Sequence, residues 1–187
     1  HDAPQNGYLN RSRVSLDYIP RDNNHPYRPA IIFRMAEAYL SYAEALNESS
    51  ERMSHKQEIL DNLNKIRHRA GIAEYGTGTD ENGFTRIKIN FSDQKEVRRL
   101  IHKERRVEFV GEGVRYHDLR RWKTAHYGIG NLNEQGENPD WGVNGPDYGM
   151  NYYGTEYTDQ GDNAFFKRTK YMDRVYPRKF YWYPIHQ

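Results

Sequence analysis

At 187 residues the chain is long enough for one good-sized domain and short for two. Lys and Arg number 28 against 26 Asp and Glu, a net charge of +2, so the charge balance points to no anionic macromolecule as partner. With no Cys there is no disulfide, no thiolate nucleophile and no Cys-based zinc site, and the redox compartment cannot be read from that absence. No apolar run approaches the roughly 18–20 residues of a membrane span, and the chain opens at His1 without a Met, a basic n-region or an apolar h-region. Either the chain is soluble or its targeting segment lies upstream. Of the 36% hydrophobic residues, 16 are Tyr, whose apolar ring and polar tip suit wet binding surfaces better than a dry core.

Residues 1–30, with five prolines and glycines and a short Val14–Ile19 alternation, read as an extended lead-in. From Ala30 the pattern changes. Ile31, Ile32, Met35, Ala36, Tyr39, Ala43 and Leu46 recur at three- and four-residue steps, which predicts a helix. A second run, Ile59, Leu63, Ile66 and Ala70 with Leu60 and Arg67 beside it, ends at Gly71, placed for a left-handed C′ residue. The two helices, spanning 34–71, should form an antiparallel pair of the size one tetratricopeptide-like repeat requires, and about three such repeats are usually needed for stability. Residues 74–92 are Gly- and Thr-rich, with a Thr85–Phe91 alternation that reads as strand or loop, and Ser92 offers an N-cap. Helices are expected at Asp93–Val110, with Val97, Leu100, Ile101 and Val107 apolar and Gly111 and Gly113 closing it, and at Arg115–Lys123. Residues 127–161 are Gly-rich and carry Tyr127, Trp141, Tyr148, Tyr152, Tyr153 and Tyr157 without helical period, and a loop of that length is usually functional or disordered. Ala164–Arg174 reads as a last helix, and Tyr176–Ile185 as extended chain running into Pro184.

Glu104 and Glu108 stand one helical turn apart, about 5–6 Å at Cβ, and a retaining glycosidase wants its two carboxyls about 5–5.5 Å apart. Catalytic carboxylates, however, face each other across a sugar from different elements, whereas here arginines crowd the same stretch. Structural pairing is the stronger reading: Glu104, Arg105, Glu108, Arg115, Asp118 and Arg121 form an ion-pair cluster in which the acids hold helices three and four together. Such pairing favours the ionised carboxylate, the opposite of a general acid tuned upward. No His-Glu-x-x-His pair, nucleophile elbow or phosphate loop occurs, so no metal and no cofactor is expected. The basic Lys95–Arg106 stretch is interleaved with acids and reads as an ion-paired face, so nucleic acid is not expected as a partner. The aromatic loop is the better functional candidate, because sugar rings present flat C–H faces to Trp and Tyr while their hydroxyls seek the Asn, Asp, Glu and Gln also present there.

The segment Arg34-Met-Ala-Glu-Ala-Tyr-Leu-Ser-Tyr-Ala-Glu-Ala-Leu-Asn47 resembles a helix of the SusD/RagB family that reads Arg-Leu-Ala-Glu-x-Tyr-Leu-x-Tyr-Ala-Glu-Ala. The next helix, Leu63-Asn-Lys-Ile-Arg-x-Arg-Ala-Gly71, agrees with it. Ile101-x-x-Glu-Arg-Arg-x-Glu-Phe-x-Gly-Glu-Gly-x-Arg-Tyr-x-Asp-Leu-Arg-Arg-Trp122 is the longest and most specific block, making 93–123 the signature helices. The closing stretch, Phe166-Lys-Arg through Tyr183-Pro-Ile-His-Gln187, is similar to the family's Tyr-x-x-Pro-Ile-Pro ending, with His186 in place of Pro.

The resemblance implies that residues 1–187 are the carboxy-terminal half of a SusD/RagB-like domain. Its fold would be mainly α, a tetratricopeptide-like helical repeat fold with long irregular loops and little strand. It implies a non-enzymatic, glycan-binding surface lipoprotein of the Bacteroidota outer membrane. Its lipid anchor would lie upstream, and it would deliver nutrient to a SusC-like TonB-dependent transporter and associate with the amino-terminal half of the same protein. Sugar contacts vary within the family, so none is carried over by motif. The candidate glycan contacts Trp141, Tyr148, Tyr152, Tyr153 and Tyr157 rest on the loop argument. Two alternatives compete: a protein-interaction scaffold whose missing half holds all sugar contacts, and a glycoside hydrolase built on Glu104 and Glu108. The sequence leaves open which glycan is bound, whether peptides are taken, and the oligomeric state.

Overall fold

The computed structural model describes residues 31–128, 142–151 and 153–182, and the chain divides into two compact units. The first, Tyr27–Arg115, is helical; the second contains Tyr116–Gln187. In the helical unit α1 is Met35–Glu48, α2 is Lys56–Arg69 and α3 is Gln94–Glu108.

The apolar spacing sets which face of each helix is buried. Ala36, Leu40, Ala43 and Leu46 on α1, Ile59, Leu63 and Ile66 on α2, and Val97 and Ile101 on α3 close one core with Tyr75 and Phe109. Removing a fully buried Leu or Ile side chain from water is worth about 1.5–3 kcal/mol, and Leu40, Ile59, Leu63 and Ile101 are of that kind. Contacts along the helices fix their directions. Tyr42 meets Glu58 near the α1–α2 turn, while Lys65, further along α2, lies over the ring of Tyr39, earlier in α1. The two helices are therefore antiparallel, as expected. Gln94 and Asn47 exchange bonds at one end of α3, and Arg34 reaches Glu108 at the other, so α3 is also antiparallel to α1.

Helix ends follow local chemistry. Gly71, at φ +66°, ends α2 in a Schellman motif, with Ile72 N donating to Arg67 O and Gly71 N to His68 O. Asp93, and not the expected Ser92, caps α3, accepting from Lys95 N at 2.9 Å and Glu96 N at 3.2 Å. Ile31 and Ile32, expected on the α1 face, precede the helix and are exposed, Ile32 to 96%. Arg34 is extended and its guanidinium is held by Glu108 and Glu112, so the helix begins only at Met35. Val107 also departs from expectation and faces solvent. The Thr85–Phe91 alternation forms isolated bridges, Tyr75↔Ile87 and Thr79↔Thr85, within a loop.

A fourth helix, α4 (Val114–Arg121), lies for most of its length in the second unit. There Leu119, Ala125 and Tyr176 are buried together, with Val143 and Tyr181 against them. The expected last helix does not form: Arg168–Arg174 is a strand, β2, paired antiparallel with β1 (Gly145–Met150). Its residues are almost all exposed and form no buried helical stripe, and the ladder from Gly145↔Arg174 to Met150↔Arg168 supplies the backbone bonds that a helix would otherwise make internally. A 3-10 turn at Arg178–Tyr181 interrupts the stretch expected to be extended. The architecture is mainly helical with one small sheet.

Candidate functional site

The strand pair turns the 151–167 segment into a braced tip. Asn151 N donates to Lys167 O, Glu156 N to Asn163 O, Phe165 N to Glu156 O and Phe166 N to Thr158 O. Gly154 lies against this second run so closely that an added Cβ would fall 2.6 Å from Phe165 N and 2.7 Å from Ala164 C. Side chains lock the same turn: Asn151 Nδ2 donates to Asp162 O, and Lys167 Nζ is 2.8 Å from Asp162 Oδ1, holding that carboxyl below its usual range.

This folding gathers aromatic rings. Tyr157 lies 6.0 Å from Phe165 and 6.4 Å from Phe166, and the two phenylalanines meet edge to face at 5.4 Å. Such rings normally bury themselves, yet Tyr157 is 83% exposed, Tyr153 90% and Phe166 51%. Tyr148 sits instead within β1, opposite Lys170 and just past a bulge, with the Arg168 guanidinium 4.3 Å from its ring centroid. Of the expected glycan contacts, the tip therefore joins Tyr153 and Tyr157, and Tyr148 stands on the adjoining strand. Trp141 and Tyr152 lie outside the described residues. Tyr127 stacks on His126 at 4.3 Å. Phe165 and Phe166 were not singled out from sequence, and no period-two pattern in Arg168–Arg174 marks the strand that follows them.

The acids of α3 behave differently. Val97, Ile101, Glu104 and Glu108 follow at four-, three- and four-residue steps, so both carboxyls continue the buried stripe. Glu104 accepts from Arg67 of α2 at 2.5 Å and from the Tyr75 hydroxyl at 2.8 Å, while Arg67 also caps Ala73 O and lies over the Tyr75 ring. Beside the Glu104 charge, burial drives the Tyr75 hydroxyl pKa up. Glu108 is gripped by Arg34 and Arg69. Burial alone would raise its pKa, but the two guanidinium groups outweigh it and hold the carboxyl below the usual range. Arg105 donates to Ser41 Oγ at 3.0 Å and Asp118 accepts from Arg121 one turn along α4, while Arg115 is half-buried at the end of the helical unit. The arginine partners of Glu104 and Glu108 thus come from α2 and the residue before α1, where α4 was expected to supply them. Among the described residues no group of three or more His, Cys, Asp or Glu is placed to hold a metal ion, and no helix is long and apolar enough to cross a membrane.

One unit is thus helical and closed by buried arginine–carboxylate pairs, and the other carries an exposed aromatic tip. The model of the SusD family matches residues 1–187, and the chain belongs to that family. It is 32% identical over 109 residues to SusD-like protein P25 of Formosa agariphila, a match covering 58% of this chain and 18% of that protein. It is 33% identical over 109 residues to SusD-like protein P2 of the same organism, covering 57% and 19%. The crystal structure of a SusD-like protein from Bacteroides fragilis aligns with a TM-score of 0.53 and 28% identity over 84% of this chain and 24% of that one. The matched stretches span only about a fifth of the length of these curated relatives.

Proposed function

We propose that this chain is part of a non-enzymatic, glycan-capturing surface protein, and that the tip between β1 and β2 is a platform on which sugar rings stack. The observation that carries this reading is the exposed Tyr153, Tyr157 and Phe166 on a hydrogen-bonded, Gly154-braced turn. Rigid amphipathic rings lose little entropy on binding, and the nearby Asp159, Gln160 and Asn163 supply partners for hydroxyls. Family membership supports the same reading and extends it. The whole protein would be a lipid-anchored outer-membrane component with tetratricopeptide-like repeats that passes glycan to a SusC-like TonB-dependent transporter, and this piece would dock on the remainder of the same protein. Trp141 and Tyr152 are proposed as further glycan contacts. Catalysis by Glu104 and Glu108 is disfavoured, because both carboxylates are engaged by arginine and Glu108 is pushed toward its ionised form.

The test is migration through gels containing a panel of polysaccharides. Retardation by at least one of them, abolished by Tyr157→Ala with Phe166→Ala and weakened by Trp141→Ala, is expected. Retardation that survives loss of all these rings would move the sugar contacts to other residues of the chain, and no retardation by any polysaccharide would leave it a scaffold.

A further inference from the structure

A groove in the helical unit, between α2 and the 74–91 loop, plays no part in the platform. It encloses about 650 Å³, within the roughly 300–1,000 Å³ of ordinary ligand pockets. Leu60, Ile89 and Phe91, half-buried against the helical core, give it an apolar side beside buried Tyr75. Its walls are fixed before any ligand arrives. Asn64 bonds the Tyr75 backbone in both directions at 2.9 and 2.7 Å, Arg67 holds Ala73 O, and Arg86 Nη2 reaches Glu74 at 2.8 Å. Asp80 accepts the amides of Glu74, Asn82 and Phe84. Little ordering is left to oppose binding.

The charges on these walls are unevenly committed. Glu74 is taken by Arg86 and His68, Asp61 accepts from Gln57 at 2.8 Å, and Lys65 lies over Tyr39. Lys56, Lys88 and the acid Glu81 line the groove, are exposed, and make no ion pair with any described residue, so uncommitted positive charge exceeds negative by one. We propose that this groove is a second saccharide subsite that takes an acidic sugar unit, carboxylate- or sulfate-bearing. Lys56 and Lys88 meet its acid group, and Leu60 and Phe91 lie under its ring. The inference rests on the glycan-binding reading and deepens it: the platform supplies stacking, the groove selects charge.

The test is titration calorimetry of the full chain with an oligogalacturonate, a sulfated galactan oligosaccharide and a neutral galactan oligosaccharide of equal length. At least one acidic probe should bind more tightly than the neutral one. Lys56→Gln with Lys88→Gln should remove the preference, costing about tenfold in affinity at low salt and less as salt is raised. Tyr157→Ala with Phe166→Ala should leave the preference in place. Which acidic probe responds identifies the acid group. Equal binding of acidic and neutral probes, or a preference that survives the lysine changes, overturns the subsite. A preference lost only with the tip aromatics places charge selection on the platform, overturning the groove while sustaining the proposed function. No binding of any saccharide removes both.

Discussion

In the helical unit Tyr75 is 2% exposed, its hydroxyl on Glu104 and its ring under Arg67, whereas on the β1–β2 tip Tyr157 is 83% exposed and, among the rings of the described residues, touches Phe165 and Phe166. The same residue type does two jobs because its surroundings differ. Beneath Tyr75 a buried guanidinium and carboxylate satisfy each other and the phenol, so the ring closes a core. Around Tyr157 the backbone is braced by its own turn bonds, so the rings are not needed to hold it and stay available. Stability and recognition therefore lie in separate residues, and changes to one should leave the other standing.

The largest effect is expected from Glu104→Ala, which strands Arg67 in the core. Loss of one partner of a buried pair costs about 3–5 kcal/mol, read as faster hydrogen exchange across α2 and α3. Unaltered exchange in those helices would show that the pair contributes no net stability. Gly154→Ala should act in the opposite region. Its Cβ has no room against Ala164 and Phe165, so a local cost of about 1–3 kcal/mol is expected, with weakened glycan retardation and unchanged protection of α1–α3. Acidification probes the helical unit again. Glu108 has a folded pKa below its usual 4.5, so its contribution is complete above that pH and is lost as pH falls below it, at no more than about 1.4 kcal/mol per pH unit. Glu108→Gln should flatten that acid limb of a melting-temperature profile. The smallest effect is Asp93→Ala, which removes the α3 cap for about 1 kcal/mol and should be measurable by denaturant titration with the tip unaffected.

Much of the helical unit was legible in the sequence because its signals are local. Three- and four-residue spacing marked the buried faces, and Gly71 marked a terminus by its need for positive φ. The misreadings have physical causes. Ile31 and Ile32 fit the spacing but are held extended by an arginine whose partner lies 74 residues away, and no local pattern encodes such a pairing. The strand pair was hidden because β1 contains Gly145, Pro146 and Gly149, poor strand formers, and its partner follows only after the tip. Tyr148 and Tyr157 were visible as candidates from composition. Phe165 and Phe166 were not, since a helix reading of 164–174 gave them no reason to meet Tyr157.

The irregular register between Asp147 and Tyr148 has a bearing on how relatives can diverge. Side chains on a strand alternate sides, so inserting or deleting a single residue in β1 beyond that point would turn Tyr148 and its Arg168 partner to opposite faces. The tip past Met150 is under no such parity constraint. Length variation among related chains should accumulate in the tip, giving new ligand shapes, while β1 admits changes only in pairs.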